Sequence, residues 1–116
     1  MSNKVNLAYA HTDQKEYQNL LALTGNGAVK EIIYGSGTVD FGSLVDAAGE
    51  TASITVPGVA LGDIVLGVSL GVDLVDMTLT AYVQAANTVE LRLQNESGST
   101  ADLASTTARV LIADVT

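Results

Sequence analysis

The chain has 116 residues, 47% of them hydrophobic and 16% charged, which is enough for one hydrophobic core and too little for two full domains. That apolar content offsets the entropy of ordering the chain and excludes disorder throughout. Thirteen acidic residues against five basic ones give a net charge of −8, which argues against DNA or RNA as a partner, because binding phosphates needs clustered Lys and Arg.

Residues 1–34 form a neutral leader: Lys4, Lys15 and Lys30 balance Asp13, Glu16 and Glu31. Its opening, MSNKVNLAYAHTDQK, has no continuous apolar segment, and the most hydrophobic stretch, 56–83, is broken by Asp63, Asp73 and Asp76. Neither a signal peptide nor a membrane span is predicted. Residues 4–9 alternate like an extended arm. Asp13 with Glu16 makes a capping-box-like start, Tyr17, Leu20 and Leu21 share one helical face, and Gly25 is a stop signal, so a short helix is the second expectation for the leader. Gly25-Asn26-Gly27 and Gly35-Ser36-Gly37 flank residues 28–34 as hinges; that stretch is a candidate strand for pairing with the body or with a neighbouring subunit.

Residues 35–116 carry the whole charge surplus, ten carboxylates against Arg92 and Arg109, and read as β from end to end. Six strands are predicted, at 38–44, 50–56, 64–70, 77–84, 88–95 and 106–113. Ala52, Ile54 and Val56 alternate with Thr51, Ser53 and Thr55, the period of a strand with one wet face. Residues 64–70 are almost continuously apolar, which predicts a central strand. Val56-Pro57-Gly58 is a turn signal, Pro fixing φ and Gly free to adopt a positive one. Ala85-Ala86-Asn87 predicts a hairpin loop with Asn in the left-handed region. Pairing Gln84 with Thr88 then sets Val83 against Val89, Ala81 against Leu91 and Leu79 against Leu93, with Tyr82 against Glu90 and Thr80 against Arg92. Apolar meets apolar and polar meets polar, and a one-residue slip would destroy the match.

The chemistry of catalysis and metal binding is sparse. No Cys is present, which removes disulfides and thiolate chemistry. His11, the single histidine, lies in the leader without a nucleophile elbow, so no catalytic residue is assigned. Asp73 and Asp76 read as a solvated turn, since the alternating oxygen ligands of a calcium loop are missing, and no metal is assigned. Gly25-Asn26-Gly27 lacks the third glycine of a dinucleotide fingerprint, so no cofactor is assigned either. Asn95-Glu96-Ser97 matches a glycosylation triplet and reads as a surface loop. Tyr82 reads as covering its cross-strand neighbours, with sugar stacking as the alternative.

The order TVDFGSLVDAAGETASITVPGVALGDIVLGVSL, LTAYVQAANTVELRLQN, ADLASTTARVLI within residues 38–113 resembles small β modules of tailed-bacteriophage virion proteins. The Asp40-Phe41-x-Ser43-Leu44 element, the turn ending at Asp63, the hairpin around Asn87 and the closing strand through Arg109 carry the likeness; 72–77 departs from it, a Pro-rich loop being expected there. These motifs are structural punctuation rather than chemistry. The resemblance implies a non-enzymatic capsid decoration protein on the virion exterior, its partners the major capsid protein and, as a homotrimer, itself, with neither nucleic acid nor membrane. A host-surface or glycan-binding module is the alternative. The expected fold is all-β, one antiparallel β-sandwich or jelly-roll-like body over 35–116 with an N-terminal arm over 1–34. The arm's Val5, Leu7, Tyr9, Tyr17, Leu20, Leu21 and Leu23 are the candidate capsid-binding residues, and Val39, Phe41, Ala108, Val110 and Ile112 are candidates for a trimer interface or, alternatively, for a larger intramolecular core.

Overall fold

The computed structural model describes residues 29–115. They form six strands, β1 (Glu31–Val39), β2 (Gly49–Thr55), β3 (Ile64–Leu70), β4 (Thr78–Ala85), β5 (Thr88–Gln94) and β6 (Thr106–Asp114). These make two antiparallel three-stranded sheets, ordered β1-β6-β3 and β2-β5-β4. The sheets pack face to face as the expected sandwich, and no helix occurs among the described residues.

Alternation decides which side chains lie between the sheets. The two central strands supply the middle of the core, β5 through Val89, Leu91 and Leu93 and β6 through Ala108, Val110 and Ile112. Ile54 and Val83 close over them from the second sheet, and Phe41, Leu44, Val56, Val59, Met77 and Leu103 seal the ends from the connections. Full burial of an aliphatic or Phe side chain contributes about 1.5–3 kcal/mol, so this cluster is the main term opposing chain entropy. All five residues named as trimer-interface candidates, Val39, Phe41, Ala108, Val110 and Ile112, belong to it. For these five side chains the larger intramolecular core is therefore the correct alternative: they lie between the two sheets and are covered by them.

Two further expectations are corrected. Gly35-Ser36-Gly37 is not a hinge but the middle of β1, with Gly35 paired to Val110 and Gly37 to Ala108 of β6. Both glycines face inward, where an added Cβ would stand 2.5 Å from Val56 Cγ2 and 2.7 Å from Ile54 Cγ2 respectively. They let β1 lie against the side chains at the end of β2. The strand also takes residues 31–34 of the leader into the body's own sheet, pairing Glu31 with Asp114 and Tyr34 with Leu111. The second correction concerns β3, which is an edge strand and not a central one. Its register shifts between Val65 and Gly67, so that Val65 faces Ile112 while Gly67 faces Leu111. The bulge leaves Leu66 unpaired and returns Val68 and Leu70 to the core side.

The β4–β5 hairpin has the predicted register from Leu79–Leu93 to Val83–Val89, with a bulge that brings Ala85 rather than Gln84 opposite Thr88. Asn87 sits at φ +61°. The hairpin is tied to the Pro57 turn, where Gly58 has φ +99°: Asn87 Oδ1 accepts from Gly58 N–H at 2.9 Å, its carbonyl accepts from Val56 N–H at 2.9 Å, and its N–H donates to the Val59 carbonyl at 2.9 Å. Asn87 thus joins two turns that are thirty residues apart in the chain. Asn87→Ala removes the side-chain bond and places a Cβ residue with no local compensation in the left-handed region, an expected loss of about 2 kcal/mol in urea unfolding. Asn87→Gly should recover the backbone part alone, so equal losses in the two variants would contradict this account.

Candidate functional site

The two outer faces of the sandwich differ in kind. On the second sheet the outward positions are Thr51, Ser53 and Thr55 of β2, Glu90, Arg92 and Gln94 of β5, and Thr78, Thr80 and Tyr82 of β4. These side chains satisfy one another: Tyr82 O–H donates to Glu90 Oε2 at 3.1 Å, Arg92 Nη2 donates to Gln94 Oε1 at 2.9 Å, and Gln94 Nε2 donates to Glu96 Oε2 at 3.0 Å. The bond to Glu90 is the main reason that the Tyr82 hydroxyl titrates above the ordinary phenol value, with desolvation and the nearby negative charge adding to it. This is a solvated polar face, and Tyr82 covers its cross-strand neighbour as expected.

The outer face of the β1-β6-β3 sheet is apolar over the half that holds Ile32, Tyr34, Ile64 and Leu111. Reading across it by register, Ile32 lies beside Ala113 and Ile64, Tyr34 beside Leu111 and Gly67, Ser36 beside Arg109 and Ser69, and Thr38 beside Thr107. The bulge adds Leu66. Ile32, Tyr34, Ile64, Leu66 and Leu111 are each 45–59% exposed. No carboxylate stands at any of these positions, although residues 35–116 carry ten, and Arg109 is the one charge on the face. Among the described residues Arg109 makes no hydrogen bond or ion pair.

A shallow hollow of about 280 Å³ opens in this face, lined by Tyr34, Gly67, Ser69, Arg109 and Leu111 with the backbone of Val68 and Val110. It exists because the Tyr34–Leu111–Gly67 row ends on a residue with no side chain, and a Cβ added at Gly67 would meet nothing within 4 Å. An aromatic ring, an aliphatic side chain, a hydroxyl and a guanidinium therefore surround a pit floored by backbone. This can seat a side chain from a partner, and its guanidinium can answer a negative group.

The residues singled out in the sequence fall elsewhere. Val5, Leu7, Tyr9, Tyr17, Leu20, Leu21, Leu23 and His11 lie outside the described residues. Asp73 and Asp76 occupy the exposed turn between β3 and β4, where Asp73 Oδ1 accepts from Val75 N–H at 2.9 Å. Asp63 is structural, its carboxylate accepting from Ala60 N–H at 2.9 Å and Val115 N–H at 3.2 Å. Asn95 is not in a surface loop: it is fully buried, donating from Nδ2 to the carbonyls of Leu44 and Ser99 at 2.8 and 2.9 Å and accepting at Oδ1 from Ser97 N–H and Oγ–H at 2.9 and 2.7 Å. Both amide hydrogens are committed, so glycosylation there would require the folded loop to open. The apolar outer face was missed by sequence reasoning, yet its signal was present: 32–34, 64–66 and 110–113 are apolar without alternation, and such strands want cover on both sides.

No protein-family model matches this chain, and no curated protein matches it either.

Proposed function

We propose that this chain is a non-enzymatic structural protein of a bacteriophage virion, decorating the capsid exterior, self-associating as a homotrimer and gripping the major capsid protein through residues of its leader. The observation that carries this reading is the division of the molecule into an acidic body and surfaces without charge surplus. The net −8 resides in residues 35–116, the leader is neutral, and the β1-β6-β3 outer face holds no carboxylate. A module built this way approaches a large surface from its neutral sides at least electrostatic cost and turns its charge to solvent. The resemblance of residues 38–113 to virion β modules supplies the partner class.

The leader is the anchor in this reading, through Val5, Leu7, Tyr9, Tyr17, Leu20, Leu21 and Leu23. Deleting residues 2–24 should leave the β signal in circular dichroism intact and lower occupancy on undecorated capsids by tenfold or more relative to the full chain. Undiminished occupancy would sink the anchor assignment. The second reading is a host-surface or glycan-binding module, for which the hollow beside Tyr34 and Arg109 would be the place of contact; saturable binding of the full chain to host surface glycans, with none to capsids, would select it.

A further inference from the structure

Toward the Ile32–Ala113–Ile64 end the strands of the first sheet are apolar on both sides, but the second sheet covers only one of them. We propose that the outer face of the β1-β6-β3 sheet is a second contact with the shell, taking a protein surface that presents an apolar side chain next to a carboxylate. The inference rests on the decoration reading for which protein supplies that surface. The apolar knob enters the hollow between Tyr34 and Leu111, over Gly67, while Ile32, Ile64 and Leu66 exclude water around it. The carboxylate meets Arg109, flanked by the hydroxyls of Ser36 and Ser69.

Charge complementarity selects this occupant. On a chain of net −8, a negative group is tolerated only where the protein has placed no carboxylate of its own, and this face meets that condition while offering one cation with no partner among the described residues. A second copy stacked on the same face would bring no carboxylate to answer either Arg109, since these outward positions hold none. A sugar is a weaker fit, because the hollow offers only the Tyr34 and Ser69 hydroxyls and one guanidinium against aliphatic carbon and backbone. Tyr and Arg around an apolar pit are the composition of a protein–protein hot spot.

The test uses the full chain and undecorated capsids in a binding titration, with thermal melting and sedimentation on each variant. Leu111→Glu and Arg109→Glu should each weaken capsid binding on the order of thirtyfold, with Arg109→Lys intermediate. Gly67→Gln fills the hollow from a position with open space above it and should weaken binding about tenfold. All sites are exposed, so melting should stay near that of the parent chain, and Gly67→Gln keeps the test intact should either Glu variant fail to fold. Unchanged capsid binding by the variants overturns the inference and leaves decoration standing. Loss of self-association in Leu111→Glu gives the face to a second copy and also overturns it. If the parent chain does not bind capsids, the decoration reading fails and takes this inference with it.

Discussion

Replacing Asn95 by Ala should destabilise the sandwich by roughly 3 kcal/mol, because it removes four side-chain hydrogen bonds at a fully buried position, and each lost partner contributes about 0.5–1.5 kcal/mol or leaves a buried polar group unmatched. For a body of this size that corresponds to a melting temperature lower by roughly 12–24 °C. The effect is large because Asn95 joins both long connections. Its N–H donates to the Ala48 carbonyl at 2.8 Å, its carbonyl accepts from Ala47 N–H at 2.7 Å, and its side chain reaches Leu44 on one side and Ser99 on the other. Leu44 in turn pairs with Ala101 in an isolated bridge. Asn95→Asp should be worse than Ala, since a buried carboxylate would face the Leu44 and Ser99 carbonyls where an amide now donates. Ser97→Ala removes one partner and should cost only about 1 kcal/mol. Calorimetry on the three variants checks the order, and an Asn95→Ala variant within about 1 kcal/mol of the parent would mean that the Leu44–Ala101 pair holds these loops alone.

The second large effect separates two glycines by sign. Gly35→Ala should cost about 2–3 kcal/mol, the upper range for overpacking, because the new methyl would overlap both Cγ atoms of Val56, itself fully buried and unable to retreat. Reduced unfolded-state entropy returns about 0.4–1 kcal/mol in any Gly to Ala change at a compatible φ, too little to reverse the clash. At Gly67 the same change meets open space and a φ outside the left-handed region, so that entropy gain is the main term and the variant should be equal to or slightly more stable than the parent. Urea unfolding of the pair is the measurement. A destabilised Gly67→Ala beside an unaffected Gly35→Ala would mean that β1 and β3 have been assigned the wrong inner faces.

These variants also separate folding from function. Asn95 and Gly35 act in the core and at one end of the sandwich, whereas Leu111, Arg109 and Gly67 are exposed on the outer face of the first sheet. Changes at the first pair should move stability, and changes at the second group should move binding, because Gly35 turns toward the core and Asn95 is buried, whereas the second group is exposed on the opposite side of the sheet.

The all-β class, the bounds of β3 and the register of the β4–β5 hairpin were legible in the sequence because each is set locally. Two-residue periodicity, Pro57-Gly58 and Asn87 act through neighbours a few positions away, and a slipped hairpin would have set Val83 and Leu91 against polar residues. What only the tertiary structure decided was what covers each surface. The apolar run of β3 has the same appearance whether the strand is central or at an edge with an open apolar face, since residues record a need for cover and not what supplies it. Gly35 and Gly37 look like a hinge until Val56 and Ile54 are found where their side chains would be. Asn95 looks like a surface acceptor until Leu44, some fifty residues earlier, closes over its amide. In each case the deciding partner lies far away in the chain, so local pattern set the strands and turns, while packing between the sheets and their connections set which side of each residue meets water.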